Sequence, residues 1–284
     1  MVESFRPGSL DEAVRIRASK KALPFAGGTD LMVRYHYESS AVPDFPAPVL
    51  FLGHLKELRS IRRMDRGVSV GAAVTLSEIL ESELIPGLLK EAAATIAAPG
   101  IRNAATMAGN ICNASPAGDT ICALHALDAG VKLSSPKAER IVPISRFITG
   151  PGKTSLNNDE LLTEIIIPDF EESFHYFRKV GTRRANALSK LSIAGTVRIS
   201  DETVEDIRIA VGAVAPTVVR SMELEKQMTG MKKSELRGKA EDIFSAYGDM
   251  IRPIDDQRST ARYRKQVALN LLRYFLFEMV LQKE

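Results

Sequence analysis

The stretch from Thr95 to Asp119, TIAAPGIRNAATMAGNICNASPAGD, constrains the fold more than any other. It is poor in charge and rich in Gly, Ala, Asn, Ser and Thr. Its pattern matches neither a helix nor a strand over most of its length. Irregular runs of that length are uncommon in compact domains unless they hold something. Thr106, Gly109, Asn110, Asn113, Ser115 and Asp119 offer hydroxyls, amides and one carboxylate. Gly109 and Gly118 permit tight backbone turns. Each polar residue has a local alternative: Asp119 can cap a helix, and Asn110 and Asn113 can satisfy their own turns. Together they suit a polyol or diphosphate ligand rich in donors and acceptors.

The flanking chain reads as walls for such a site. Ser9-Leu10-Asp11-Glu12 is a capping box that predicts a helix with Ala13, Val14 and Ile16 inward, ended by Lys20-Lys21. Strands are predicted at 22–26, 49–52 and 68–74, with a proline-rich loop at 41–48. Thr75-Leu76-Ser77-Glu78 opens a second capped helix. Pro86 suits the first turn of a third, running to about Ala97 and ended by Pro99-Gly100. Asp119 caps a helix through Ala126. Residues 131–134 and 140–142 form a hairpin, and 161–167 a strand closed by Pro168.

Composition shifts at Asp169-Phe170-Glu171-Glu172, the candidate linker. Three strands follow, at 173–179, 192–199 and 204–214. In the last, Ile207, Ile209 and Val211 alternate with Asp206, Arg208 and Ala210, which predicts one wet face. Helices are predicted at 219–229, 233–247 and 260–282, the last with Tyr263, Val267, Leu271 and Tyr274 at helical spacing. Strands followed by helices indicate an α+β second domain. The predicted domains are 1–170, with subdomains of about 1–58 and 59–170, and 171–284.

Bulk properties exclude several classes. With 38 basic and 35 acidic residues the charge is nearly balanced, which argues against a nucleic-acid-binding face. No apolar run approaches the ~18 residues of a membrane span, and the N-terminus has no apolar signal-peptide core. Two cysteines, Cys112 and Cys122, do not suggest a disulfide scaffold. A reducing cytoplasm is the expected compartment. The four histidines lack metal-site spacing, and His125 reads as a packed residue.

Phe25-Ala26-Gly27-Gly28-Thr29-Asp30 is the second chemical motif. Adjacent glycines allow positive φ and close approach to a ligand, and successive N–H groups can form an anion nest. On this motif alone, an ordinary Gly-Gly hairpin turn is the favoured account. Gly150-Pro151-Gly152-Lys153-Thr154 ends like a phosphate-binding loop, but Phe147 stands where its first glycine should be.

At these residues the chain resembles a known family. AGGTDL at 26–31, IRNAATMAGNICNASPAGD at 101–119 and LLTEIIIP at 161–168 resemble the FAD-binding medium subunit of molybdenum hydroxylases. That group includes xanthine, carbon monoxide and nicotinate dehydrogenases. The resemblance runs over nearly the whole chain. TGPGKTSL at 149–156 and VAPTVVRSMELE at 214–225 are most similar to the separate FAD subunit of bacterial xanthine dehydrogenases.

The resemblance implies an α+β fold: a two-subdomain FAD-binding domain of the vanillyl-alcohol-oxidase (PCMH) type, then a smaller C-terminal domain with a three-stranded antiparallel sheet and helices. It implies non-covalent FAD. Phe25 through Asp30 (Phe25, Ala26, Gly27, Gly28, Thr29, Asp30) would cradle the diphosphate. Thr106, Gly109, Asn110 and Asp119 would bind the diphosphate, ribityl and adenosine portions. Leu162 would give backbone contacts near the flavin, Lys179 would reach the cofactor, and Ile96 would lie beside the isoalloxazine. Met107-Ala108 departs from the family's Ile-Gly, adding a methyl before Gly109. Two cysteines cannot supply the four thiolates of the 4Fe–4S insertion found in some relatives.

The implied function is an electron-output subunit. Molybdopterin on a large partner would hydroxylate a heterocycle such as xanthine. Two 2Fe–2S clusters on a small partner would pass electrons to this FAD, and NAD would be the acceptor. The assembly would be a heterotrimer able to dimerise. The redox chemistry belongs to the cofactor, so no side-chain acid or base is nominated and no metal is assigned to this chain. Lys179 and Arg183-Arg184 are candidates for NAD docking or flavin tuning. The alternatives are a related hydroxylase subunit for nicotinate, an aldehyde or carbon monoxide, a stand-alone flavin oxidase, and a binding module without flavin.

Overall fold

A computed structural model describes residues 2–36 and 42–282; residue 41, at the start of the expected proline loop, lies outside them. The chain folds into two compact units. The first takes residues up to Ile85, then Ala97–Ala114 and Ala129–Asp169. The second takes Pro86–Ile96, Ser115–Asp128 and residues from Phe170 onward. The chain therefore passes from one unit to the other twice between Thr95 and Asp119.

In the first unit, a parallel three-stranded sheet has Val49–Phe51 at its centre, flanked by Ser4–Phe5 and Leu23–Phe25. The capped helix Leu10–Lys20 joins the two flanking strands, as parallel strands require a crossover. Ser9 Oγ accepts from the Glu12 amide at 3.2 Å. The Glu12 carboxylate, however, accepts from the Gly8 amide at 2.7 Å rather than from Ser9. Lys21 ends the helix in the left-handed region at φ 52°. The apolar run after Gly28 forms the short helix Leu31–Arg34 and leaves Val33 79% exposed.

The same unit holds an antiparallel five-stranded sheet. Its order is Ile61–Met64, Gly67–Gly71, Leu161–Ile167, Gly130–Ser134, Glu139–Pro143. The expected hairpin and the expected 161–167 strand are both present. Glu164, on the central strand, accepts from Arg62 at 2.6 Å and from Ser69, and pairs with Lys132. Thr75 and Glu78 form a complete capping box at the start of Leu76–Glu81. Residues 148–154 form two short strands and a turn, which is no phosphate loop.

In the second unit, an antiparallel sheet runs Phe174–Val180, Leu191–Ser200, Thr203–Gly212, Val219–Arg220. The fourth strand corrects the expected three-stranded sheet, and takes residues assigned to the start of a helix. That helix is Met222–Met228, capped by Ser221. Ile207, Ile209 and Val211 face a core shared with Leu236, Ile243, Tyr247, Ala268, Leu272 and Phe275. The opposite face was expected to be wet, and is so only in part: the Asp206 side chain is 32% exposed and that of Arg208 13%. The helix Asp119–Ala126, buried along its whole length, covers it. Ala210 is fully buried there, and the Cys122 thiol donates to its carbonyl at 3.4 Å.

The last helix, Ala261–Arg273, continues as a π-helical segment over Tyr274–Val280. Its period is as expected but its phase is not. The buried stripe is Arg264, Ala268, Leu272 and Phe275, while Tyr263 and Tyr274 are exposed. The Phe275 ring packs so closely that a Cβ on Gly195 would stand 2.6 Å from it, and any larger residue there would displace the ring. No helix among the described residues is long and apolar enough to cross a membrane.

Candidate functional site

The first unit brings two of the chemical motifs together. The turn after Leu23–Phe25 carries Gly28 at φ +70°, a conformation glycine takes without strain. A Cβ on Gly27 would stand 1.9 Å from the Ala104 carbonyl oxygen. The Ala26–Asp30 turn thus lies backbone to backbone on residues 104–105, an approach no other residue permits. Gly28 closes over the Phe25 ring, which packs edge-on against Phe45 and Phe51 at 6.2 and 5.1 Å.

Thr106 begins the helix Met107–Asn113. Its hydroxyl accepts from the Gly109 amide at 3.0 Å. A Cβ on Gly109 would lie 2.9 Å from that oxygen, so glycine keeps the cap tight. The expectation that most of 95–119 is irregular is corrected here and at Pro99–Arg102, where Pro99 opens a helical turn instead of ending one. These helices are one or two turns long. Periodicity needs about 11 residues or more to declare itself, so neither was visible. Ala108, whose methyl departs from the family pattern, is buried in the first turn beside Met107.

Asp30 and Asn113 form a clamp between the two motifs. The Asn113 amide donates to the Asp30 carboxylate at 3.3 Å. Arg34 pairs with Asp30 at 3.0 Å and donates to the Asn113 carbonyl oxygen. Arg34 was missed in the sequence, although its i+4 spacing from Asp30 on a helix was a usable signal. Leu162 is buried at the edge of a register shift in Leu161–Ile167. On the other side of the strand, the Thr163 carbonyl accepts from the Ala72 amide at 2.9 Å, which continues the pairing with Gly67–Gly71.

The second unit holds a separate buried cluster. Gly118, not Asp119, is the N-cap of Asp119–Ala126, which corrects the capping expectation. Asp119 is 3% exposed. It pairs with Lys179 Nζ at 2.8 Å and accepts from Ser189 Oγ at 2.5 Å. Lys179 also donates to the Thr95 carbonyl at 3.0 Å. Burial pushes the Asp119 carboxyl upward, and Lys179 and Ser189 pull against it. Ile96, next to Thr95, is half-buried. Ser189 and Thr95 carry no sequence signal for this role, because their partners are remote in the chain.

Arg183 is committed to its own loop. Its guanidinium donates to the Ala185 and Asn186 carbonyls at 3.0 and 2.7 Å. The His125 ring is buried, its Nδ1 2.9 Å from the Ile121 carbonyl, as a packed histidine should be. Among the described residues, no group of three or more His, Cys, Asp or Glu side chains could hold a metal ion.

Residues 1–170 match the FAD binding domain in molybdopterin dehydrogenase, and 175–279 match the CO dehydrogenase flavoprotein C-terminal domain. The chain is 32% identical to the glyceraldehyde dehydrogenase medium chain of Sulfolobus acidocaldarius, over 92% of each. It is 29% identical to the xanthine dehydrogenase FAD-binding subunit of Escherichia coli O157:H7, over 97% of this chain and 94% of that one. A solved carbon monoxide dehydrogenase of Hydrogenophaga pseudoflava has a chain that superposes with TM-score 0.83 at 27% identity, over 96% of this chain and 94% of that one.

Proposed function

Because this chain belongs to the FAD-binding medium subunits of the molybdenum hydroxylases, an oxidoreductase family, we propose that it is the electron-output subunit of a xanthine dehydrogenase. Its partners in this reading are a molybdopterin large subunit and a small subunit with 2Fe–2S clusters, in a cytoplasmic heterotrimer that can dimerise, and NAD is the acceptor. Bound FAD would supply the exchange between one-electron and hydride chemistry. The observation that carries the flavin part of the reading is the seating of the Ala26–Asp30 turn on residues 104–105, which only glycine at 27 allows; the similarity to the xanthine dehydrogenase FAD-binding subunit supports the choice of substrate.

The residues present fit a flavin dinucleotide. The glycine turn leaves no side chain between its backbone and an anionic group. Thr106, Gly109 and Asn110 place a capped helix start behind it. Asp30 acts through Arg34 and Asn113, holding the turn to the Met107–Asn113 helix, while its neighbours Ala26–Thr29 offer backbone donors. Phe25 supports Gly28 from beneath. We assign Asp119, held by Lys179, to a hydroxyl-bearing part of the cofactor, and Leu162 and Ile96 to apolar contact with it. Arg184 is a better candidate for the acceptor's phosphates than Arg183, whose Nε and Nη2 donate to its own loop.

A second reading within the family is an aldehyde dehydrogenase subunit, favoured by the identity to the glyceraldehyde dehydrogenase medium chain. Substrate is selected on another chain in either case. The test is co-purification with the partner subunits followed by assay with xanthine and with glyceraldehyde, each with NAD. Reduction of NAD by xanthine supports the first reading, and reduction with the aldehyde alone replaces it by the second. A purified chain that is colourless and does not take up added FAD overturns both.

A further inference from the structure

We propose that His175 is a positioning residue: through Glu91 it fastens the Pro86–Ile96 segment to the edge strand Phe174–Val180, and so keeps the Thr95 carbonyl on Lys179. His175 lies between two carboxylates. Its Nδ1 is 2.5 Å from Glu172 Oε1 and its Nε2 is 3.3 Å from Glu91 Oε1. Glu172 precedes the strand on which His175 stands. Glu91 is on the helix Gly87–Ala94. The ring also abuts the start of that helix, where a Cβ on Gly87 would stand 2.5 Å from His175 Cε1.

Elementary donor counting selects the charged ring. A neutral imidazole has one N–H and one lone pair, so it can satisfy one carboxylate only by turning its lone pair on the other. The imidazolium donates to both. Glu172 adds to the bias, because its second oxygen, Oε2, is buried with no hydrogen-bond partner. Deprotonating His175 would leave that carboxylate without its counter-charge. The groups facing the ring are Glu172 from the strand's approach and Glu91 from the helix. The cross-strand neighbour Thr196 is uncharged.

The link to Lys179 is geometric. His175 and Lys179 are four residues apart on one strand and share a face. His175 grips the segment near Gly87 and Glu91, and Lys179 grips it at Thr95. Lys179 in turn holds Asp119. The Glu172 hydrogen bond, foremost, moves the His175 pKa upward against its burial. A histidine raised in the fold contributes fully below its unfolded value of about 6.5 and loses that contribution as pH rises through the folded value. The latch is therefore complete in mild acid and released in alkali. Any consequence for flavin binding rests on the reading of Lys179 and Asp119 as cofactor-side groups; the latch itself does not.

The experiment is hydrogen exchange of the full chain, with and without FAD, compared in mild acid and mild alkali after correction for intrinsic rates. Segment 86–96 should be more protected in acid, by about tenfold for each unit by which the His175 pKa is raised. His175→Gln and Glu91→Gln should remove that dependence. Equal protection at both pH values, or an unchanged dependence in His175→Gln, overturns the latch. Nuclear magnetic resonance of the His175 ring in the wild-type chain needs no variant: titration at or below the ordinary histidine value also overturns it. FAD affinity, read by flavin fluorescence, separates the two readings. Exchange that responds to pH with affinity that does not keeps the latch and overturns the placement of Lys179 and Asp119 at the flavin.

Discussion

Lys179 Nζ and Asp119 Oδ2 lie 2.8 Å apart with side chains only 12% and 4% exposed. Sixty residues of chain separate them, and both belong to the second unit. Such a pair is costly to break, because removing one partner strands a charge in a medium that solvates it poorly. We therefore expect Asp119→Ala to destabilise the chain by about 3–5 kcal/mol. Thermal unfolding should show the loss, and adding Lys179→Met should recover part of it. Visible flavin absorbance per mole of protein should fall in both variants below their unfolding temperatures. Full flavin occupancy in both would remove Asp119 from the cofactor.

Gly27→Ala tests the seat of the glycine turn. The added methyl would meet the Ala104 carbonyl at 1.9 Å, and that atom is backbone. Relief requires one of the two segments to shift, at an overpacking cost of about 1–3 kcal/mol. We expect FAD affinity to drop more than stability does. Gly100→Ala is the control, since a Cβ there meets nothing within 4 Å. Equal FAD affinity in the two variants would mean that the turn does not touch the cofactor.

Thr106→Ala should remove the N-cap of Met107–Asn113 at a cost of about 1 kcal/mol, and Thr106→Ser should restore it. Urea midpoints measure both. If the hydroxyl only caps the helix, flavin affinity will track stability across the series.

Acid sensitivity of the first unit should centre on Glu160. The Arg140 guanidinium, bonded to it at 2.6 and 2.8 Å, holds its carboxyl below the usual glutamate range. A depressed acid contributes stability above its unfolded pKa of about 4.3 and loses it as pH falls through the folded value. Glu160→Gln should lower stability at neutral pH and flatten its decline in acid. A variant whose urea midpoint still falls as steeply in acid as the wild type would assign the loss to another carboxylate.

Local chemistry was legible in the sequence where a hydroxyl caps its own helix, though the equally local Asp30–Arg34 pair was missed. The hydroxyl caps at Ser9 and Thr75 are where the residue order put them, because a cap needs only its own first turn. The strand alternation of Ile207, Ile209 and Val211, and the motifs that carry the family, were equally plain. Tertiary structure alone decided what covers the other face of that strand, since the covering helix Asp119–Ala126 comes from the middle of the chain. It also decided the phase of the last helix, where Arg264 and Phe275 turn inward and Tyr263 outward. Period is a property of one helix, but phase depends on which face its neighbours leave free. The same distinction divides the opening stretch. Its residue types announced a polar, glycine-bearing site, while the partners of Asp119 and the clamp on Asp30 were set by side chains that only folding brings within reach.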